Sequence, residues 1–391
     1  MSPADGEMIT WEELAARALA RQFPAASGVR ATSEDLVHAL VHLMGPIQAQ
    51  AARAPFVAIC ARDPEGVVDH AAITAAYESL AIVRGSSIRG TVHTSTAEAH
   101  PVLDSLTRSG IGSRWRQWLP FERSSPEDLW AGLERYAAEE WRTVADLRAF
   151  MFGWLTEHES ADASEATLGH VGKYLAFGHG GLIRRPLKGG WEGQGAPGYR
   201  AASALLGDRS AVLADPEGAI RSAVRSHLRC HGPSSTQDIA WWAGLGLRQV
   251  GTAVESLGAE LTSRTGPDGR AYHDLVHPPA SGRDLPGVVL LPEFDSLLCA
   301  YDPAGRTRFI DPEHHRILFQ SANGLIRPPL LVDGRITGYW RLEGSGRTRS
   351  LTAFWFPRTR RPRIAEVRAA AETVTRALPI ELGEVRVTRH A

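Results

Sequence analysis

The sequence predicts an α+β protein in which three tandem winged-helix units precede a small C-terminal β-barrel. Two patterns carry that expectation. Amphipathic helical spacing closed by a short strand pattern occurs three times between residues 8 and 282. After Pro278 the chain changes to short β-rich runs, with Asn323-Gly324 and Asp333-Gly334 as hairpin turns. A length of 391 residues, 43% of them hydrophobic and 22% charged, leaves room for several cores and excludes disordered, fibrous and membrane classes. The three units are expected at 8–105, 106–205 and 213–282, and the barrel with its closing helix at 285–391.

In the first unit, Trp11, Leu14, Ala15, Ala18 and Leu19 share one face of a helix from Trp11 to Gln22, with acids in its first turn. Thr32 or Ser33 caps a second helix, in which Leu36, Val37, Leu40, Val41 and Met44 repeat at helical spacing until Gly45-Pro46 ends it. A helix over Thr74 to Leu80 follows. Strands Ile82-Val83-Arg84 and Thr91-Val92-His93 then flank a polar turn at Gly85 to Gly90. The second unit has helices from Ser125 through Leu133, Thr143 through Phe150 and Thr167 through Ala176, with Gly181 to Arg185 as a wing strand. The third has a helix at Ile220 to Arg229, a capped helix from Ser235 to Trp242, a helix at Leu247 to Leu257 and a wing at Tyr272 to Leu275. The units differ in length and share little literal sequence, unlike a solenoid. Beyond them lie β-runs at Gly287 to Leu291, Ile317 to Phe319, Leu330 to Ile336 and Leu351 to Phe356, and a closing helix at Ile364 to Ala377.

Lys+Arg 43 against Asp+Glu 44 gives a formal net charge of -1, so any nucleic-acid face must be local. Only Lys173 and Lys188 are lysines, and arginine suits bidentate phosphate and base contacts. Cys60, Cys230 and Cys299 are odd in number and scattered, which fits a reducing cytoplasm rather than a disulfide framework or a zinc ribbon. The first ten residues carry no apolar core, and no apolar run of about 18 residues occurs, so neither export nor a membrane span is expected.

No phosphate loop of Walker or dinucleotide type is visible, because Gly178 to Gly181 and Gly189 to Gly198 lack the strand-to-helix context; no cofactor is expected. His38 and His42 have a metal-compatible spacing without a third ligand, and His314-His315 diverge as sequence neighbours; no metal is expected. Arg53, Arg84 and Arg89 flank glycine-rich or polar turns of the first unit, where they are placed to touch phosphate. The segment Ser235 to Leu257 has the form of a helix-turn-helix, although Trp241 and Trp242 make it look buried on at least one side. After Gly45-Pro46, the amides of Gln48 and Gln50 either point to opposite sides or, in a bent backbone, converge on one small volume. Asp295, in Leu-Pro-Glu-Phe-Asp-Ser-Leu-Leu, is read as a cap or turn residue.

The run from Gly45 to Phe56 resembles the Gln-apolar-Gln catalytic motif of the AlkZ family of winged-helix DNA glycosylases. Arg89-Gly90-Thr91-Val92-His93 is similar to that family's Arg-Gly-Thr-apolar-His strand, and Arg229 to Trp242 to the start of its third winged helix. Leu291 to Leu298 and Val332 to Trp340 resemble its C-terminal barrel, so five segments match in order over about 300 residues. The resemblance implies a C-shaped chain gripping duplex DNA and hydrolysing the N-glycosidic bond of a bulky alkylated purine. It looks similar to the self-resistance branch that acts against azinomycin, hedamycin and trioxacarcin types of alkylating antibiotic; a second branch carries Gln-apolar-Asp, and Gln50 favours the first.

By that resemblance Gln50 positions water and Gln48 is its partner, Thr91 and His93 contact the backbone near the lesion, and either the Asn323-Gly324 or the Asp333-Gly334 turn marks a hairpin that probes DNA, with Asp333 read rather as closing barrel strands. His93 is read equally as a strand residue bonded locally. The expected partner is double-stranded DNA carrying an alkylated purine, bound by a cytoplasmic monomer without a membrane or an obligate protein partner. The competing reading of the same scaffold is a non-catalytic winged-helix regulator, or a protein that sequesters the drug or its adduct. A small-molecule hydrolase lacks a Ser-His-Asp or metal constellation.

Overall fold

A computed structural model describes residues 7–26, 32–169, 172–279, 282, 287–320 and 324–390. The first helices, α1 (Trp11–Gln22) and α2 (Ser33–Met44), each start at a capping box, Thr10 with Glu13 and Thr32 with Asp35. Then come β1 (Ile47–Gln48), α3 (Ala54–Arg62), α4 (His70–Glu78), β2 (Ile82–Ser87), β3 (Thr91–Thr96) and α5 (His100–Trp118). Helix α3 is buried at every position, so it shows no amphipathic period in the sequence. Helix α5 is hidden for the opposite reason. Its buried face carries Asp104, Ser105 and Thr107, with Asp104 held by Arg108 at 2.9 Å and by Arg209.

The second stretch runs α6 (Pro126–Tyr136), β4 (Arg142–Thr143), α7 (Val144–His158), α8 (Ala161–Leu168), α9 (Gly172–Leu175), β5 (Leu182–Pro186), β6 (Pro197–Ala201), α10 (Ala202–Leu206) and α11 (Ser210–Ala214). The helix expected to start at Thr167 is corrected. Thr167 lies in the last turn of α8, which starts at the Ser160 cap. Strands β1 to β6 form one sheet in the order β1-β3-β2-β5-β6-β4, so the first two units share a sheet across the Gly85–Ile183 pairing. Gly85, expected in a turn, lies in β2, and the turn narrows to Ile88–Gly90. A Cβ on Gly85 would meet the Leu182 carbonyl oxygen at 2.9 Å, so glycine is what lets the two sheets join. The expected division at 105/106 falls inside α5.

The third stretch comprises α12 (Pro216–His231), β7 (Ser234–Ser235), α13 (Thr236–Ala243), α14 (Leu247–Leu257), β8 (Leu261–Thr265) and β9 (Ala271–Leu275), with strand order β7-β9-β8. Ser235 caps α13 through a capping box with Asp238. Helix α1 is fastened to this stretch, since Arg21 reaches Asp274 at 2.8 Å and the Leu228 carbonyl at 2.8 Å.

The C-terminal part has β10 (Val288–Leu290), α15 (Ser296–Cys299), α16 (Pro312–Leu318), β11 (Phe319–Gln320), β12 (Leu325–Ile326), β13 (Pro329–Val332), β14 (Arg335–Glu343), β15 (Thr348–Trp355), α17 (Ile364–Ala377) and β16 (Glu381–Arg389). Two expectations are corrected. Ile317 and Leu318 end a helix that starts at Pro312, where proline suits the first turn. The expected small β-barrel is a curled five-stranded sheet, β10-β13-β14-β15-β16, open at β10 and β16. Helix α17 packs against both edge strands and against α3, and β16 follows it in parallel to β15, so α17 bridges the open side as the expected closing helix. The Asp333-Gly334 turn joins β13 to β14 as expected; Asn323 lies outside the described residues. No helix among the described residues is long and apolar enough to cross a membrane.

Asp295 caps α15 through the Leu297 amide at 3.0 Å and holds the Arg62 guanidinium at 2.9 Å, both side chains being 1% exposed. Asp295→Ala leaves that buried cation unpaired, which costs roughly 3–5 kcal/mol. The expected result is a urea midpoint lowered by more than 1 M for a small m-value of about 2 kcal/mol/M. A midpoint unchanged within error would remove the structural role.

Candidate active site

The glutamine segment is built by a forced change of direction. Gly45 ends α2 at φ 72°, and a Cβ there would also crowd Cys230 Sγ at 3.3 Å and His231 Nε2 at 3.4 Å. Strand β1 then pairs Ile47 with Thr94 and Gln48 with His93, and the Ala49 amide donates to the Val92 carbonyl at 2.7 Å. Beyond Ala49 the chain bends. Gln48 is buried at 7% exposure and Gln50 is exposed, yet their side chains converge, with Gln48 Nε2 donating to Gln50 Oε1 at 2.6 Å.

Arg89 sets the direction of that bond. It sits at φ 59° on the turn between β2 and β3, and its guanidinium donates to the Trp242 carbonyl and, at 2.9 Å, to Gln48 Oε1. A guanidinium only donates, so the oxygen of Gln48 must face Arg89 and its NH2 must face Gln50. Gln50 Oε1 therefore takes one hydrogen bond and keeps a second lone pair, while its NH2 points away from the pair. Burial pushes the Arg89 pKa down, and its partners are neutral oxygens.

His93 lies against this relay. Its Nδ1 donates to the Thr91 carbonyl at 3.1 Å, which leaves Nε2 as the bare nitrogen. Burial, then the Arg89 charge, push it down to about 3, so it is neutral near pH 7. Gln48, Arg89 and His93 line an inner pocket of ≈10 Å³, no larger than one water needs. Gln50 instead opens on a cavity of ≈410 Å³ with Gln194, Glu293, Phe294, Arg327 and Arg341 on its walls and Gly324 at its edge. Access to the pair is thus from the Gln50 side.

The other expected contacts fall elsewhere. Arg84 is 4% exposed, lies 4.9 and 5.5 Å from the centres of the stacked Tyr77 and Trp191 rings, and donates to the Trp191 and Ala52 carbonyls at 2.8 and 3.2 Å; its expected phosphate contact is corrected to a role inside the core. Arg53 is bound to Glu293 of the cavity wall, with Nε 3.1 Å from Oε1. Arg89, expected at the DNA backbone, faces inward to Gln48. The hydroxyl of Thr91 donates to the Ile88 carbonyl at 3.2 Å. His93 is turned inward and bonded locally, at 3% exposure. On α13, Trp242 is buried and Trp241 is exposed beneath the Arg306 guanidinium, 5.2 Å from its ring.

Four cavity residues were not singled out from the sequence: Gln194, Glu293, Arg327 and Arg341. Gln194 comes from the glycine-rich 187–196 loop between β5 and β6, and its Nε2 donates to the Gln50 carbonyl at 3.3 Å. That loop docks on the first stretch through Trp191, stacked on Tyr77 at 4.2 Å, and Glu192, 2.9 Å from His70. Only the lone acid of an otherwise apolar Leu-Leu-Pro-Glu-Phe run hinted at Glu293.

A family model described as DNA glycosylase AlkZ-like matches residues 41–377. The interstrand DNA cross-link repair glycosylase of Streptomyces sahachiroi is 24% identical over 180 residues, 45% of this chain and 47% of that relative, so the match spans about half the relative's length. The solved structure of Streptomyces sahachiroi DNA glycosylase AlkZ superposes with a TM-score of 0.74 at 19% identity, over 97% of this chain and 100% of that one. At that identity the likeness establishes the fold.

Proposed function

Because this chain belongs to the AlkZ-like family of DNA glycosylases, we propose that it is a monofunctional DNA glycosylase that hydrolyses the N-glycosidic bond of bulky cationic N7-alkylguanine adducts, in self-resistance to a genotoxic alkylating natural product. The observation that carries the reading is the Arg89–Gln48–Gln50 relay, which points one oriented amide into a cavity open to a large ligand. The helical units act as winged helices around duplex DNA, and the chain works as a monomer.

An N7-alkylated guanine is already cationic and departs as a neutral base, so bond cleavage needs no strong general acid. Positive charge grows on the sugar as the bond lengthens. Gln50 Oε1, with its remaining lone pair, accepts a hydrogen bond from the attacking water and turns its dipole toward that charge. Gln48 keeps Gln50 in place and is itself kept in place by Arg89. The bond from water oxygen to the anomeric carbon forms as the bond to the base nitrogen breaks, and the water's proton leaves to solvent. Neutral, undamaged bases lack the leaving-group charge and are poor substrates.

The test is abasic-site formation, read as strand cleavage after mild alkali, on a duplex carrying one N7-alkylguanine adduct, from methyl to a bulky intercalating group. Wild type is expected to release the bulky base. A Gln48→Ala, Gln50→Ala double variant is expected to lose at least about 10²-fold in single-turnover rate. Tight duplex binding with no release on any adduct would instead establish the regulator or sequestering protein.

A further inference from the structure

The cavity beside Gln50 carries two arginines that the relay does not use. Arg327 follows β12, and its guanidinium lies 4.6 Å from the centre of the Tyr339 ring. Its Nε and NH1 are buried with no hydrogen-bond partner among the described residues. Arg341, two residues after Tyr339 on β14 and so on the same face of the strand, is exposed and lies 5.4 Å from the rings of both Tyr339 and Phe354. Among the described residues neither forms an ion pair. Glu293, the acid on the same cavity wall, is taken up by Arg53.

An unpaired guanidinium with buried donors is costly, and stacking on an aromatic face does not satisfy its N–H groups. That cation and the exposed guanidinium of Arg341, together on one wall of a ≈410 Å³ cavity, make it a site for an anion with several acceptor oxygens. The neutral amide of Gln50 faces the same space. His390, whose Nδ1 is 3.2 Å from the Tyr339 hydroxyl, is pushed down by burial and by both arginines, so its ring is neutral near pH 7 and the charge on this wall is that of the two guanidinium groups.

We propose that Arg327 and Arg341 form a phosphodiester clamp that grips the nucleic-acid backbone next to the sugar addressed by Gln50. This rests on the glycosylase reading for the identity of the neighbouring group, but the clamp itself requires only duplex DNA. Tyr339 holds the two guanidinium groups at a fixed spacing, so the register of the backbone in the cavity is set by the sheet and not by the base.

The experiment is the salt dependence of binding to an undamaged fluorescent duplex, for wild type, Arg327→Gln, Arg341→Gln and the double variant. The slope of log K against log salt is expected to fall in magnitude by about 0.9 for each arginine removed, and by about 1.8 for both. Arg347→Gln, an exposed position 76% open to solvent and paired with Glu381, serves as the charge control and is expected to keep the wild-type slope. Arg341 is exposed, so its variant folds even where Arg327→Gln does not, and thermal melting checks both. An unchanged slope in Arg341→Gln and the double variant, or an equal fall in Arg347→Gln, overturns the clamp. Base release is read separately, so a wild type that binds with the expected slopes yet frees no base overturns the glycosylase reading and leaves the clamp standing.

Discussion

Arg89→Met is expected to slow single-turnover base release by about 10²-fold while duplex affinity stays within about twofold. Arg89 does not reach the large cavity where substrate would sit; its hydrogen bond to Gln48 Oε1 decides which end of each amide faces which. Without it, the Gln48 amide is free to turn over and present its oxygen to Gln50 Oε1, two acceptors that repel. The pair then separates, and misplacement of a reacting group by about 1 Å costs on the order of 10² in rate. Arg89→Lys keeps a donor and a charge and is expected to recover part of the rate. A purely structural Arg89 would lower the melting temperature and affinity together and leave the rate of the folded fraction intact. That pattern, or no recovery with lysine, would sink the positioning role.

Acid is expected to unfold the protein between about pH 6 and pH 5, far above the usual range for carboxylate protonation. Burial pushes His93, His179 and His231 down to about 3 and His100 down to about 4, and holds His227 well below the ordinary histidine range. All five are at most 5% exposed. The folded chain keeps these rings neutral while the unfolded chain protonates them near pH 6.5, so the unfolded state binds more protons below that pH. Their contribution is full above pH 6.5 and is lost as pH falls toward the folded values, by roughly 1.4 kcal/mol per histidine per pH unit. At pH 5 five rings sum to roughly 10 kcal/mol, the size of a typical total stability. Asp238 works the other way, since burial raises its carboxyl and that group gains stability in acid, but one such group does not offset five. Circular dichroism melts from pH 7.5 to 5 check this; a melting temperature flat to pH 5 would mean these histidines charge without opening the fold.

The amphipathic helices were legible because each buries one face: α2 and α13, which start at the capping residues Thr32 and Ser235, and α14 over Leu247–Leu257 and α17 over Ile364–Ala377, whose apolar period alone marks them. Helices α3 and α5 were not, because one is buried all round and the other turns a charged network inward, so neither carries the apolar stripe that marks a helix. The strand that follows α17 was not legible either. Nothing in the local pattern of β16 says that it pairs in parallel with β15 after the helix crosses over.

In the site, the residue types and order of Gln48, Gln50, Arg89 and His93 stood in the sequence, and their resemblance to a family motif named the chemistry to look for. Which of them face one another did not. Sequence spacing left the two amides free to converge or diverge, and it placed Arg84 and Arg89 at surface turns; packing buried Arg84 beside the Tyr77 and Trp191 rings and aimed Arg89 at Gln48. Glu293, Gln194, Arg327 and Arg341 reach the cavity from segments 140 to 290 residues away, as in the Gln194 contact 144 residues from Gln50. Local propensity and pattern are properties of neighbours along the chain, whereas a cavity wall is chosen by which distant surfaces bury one another, and that is decided only when the sheets and helices pack.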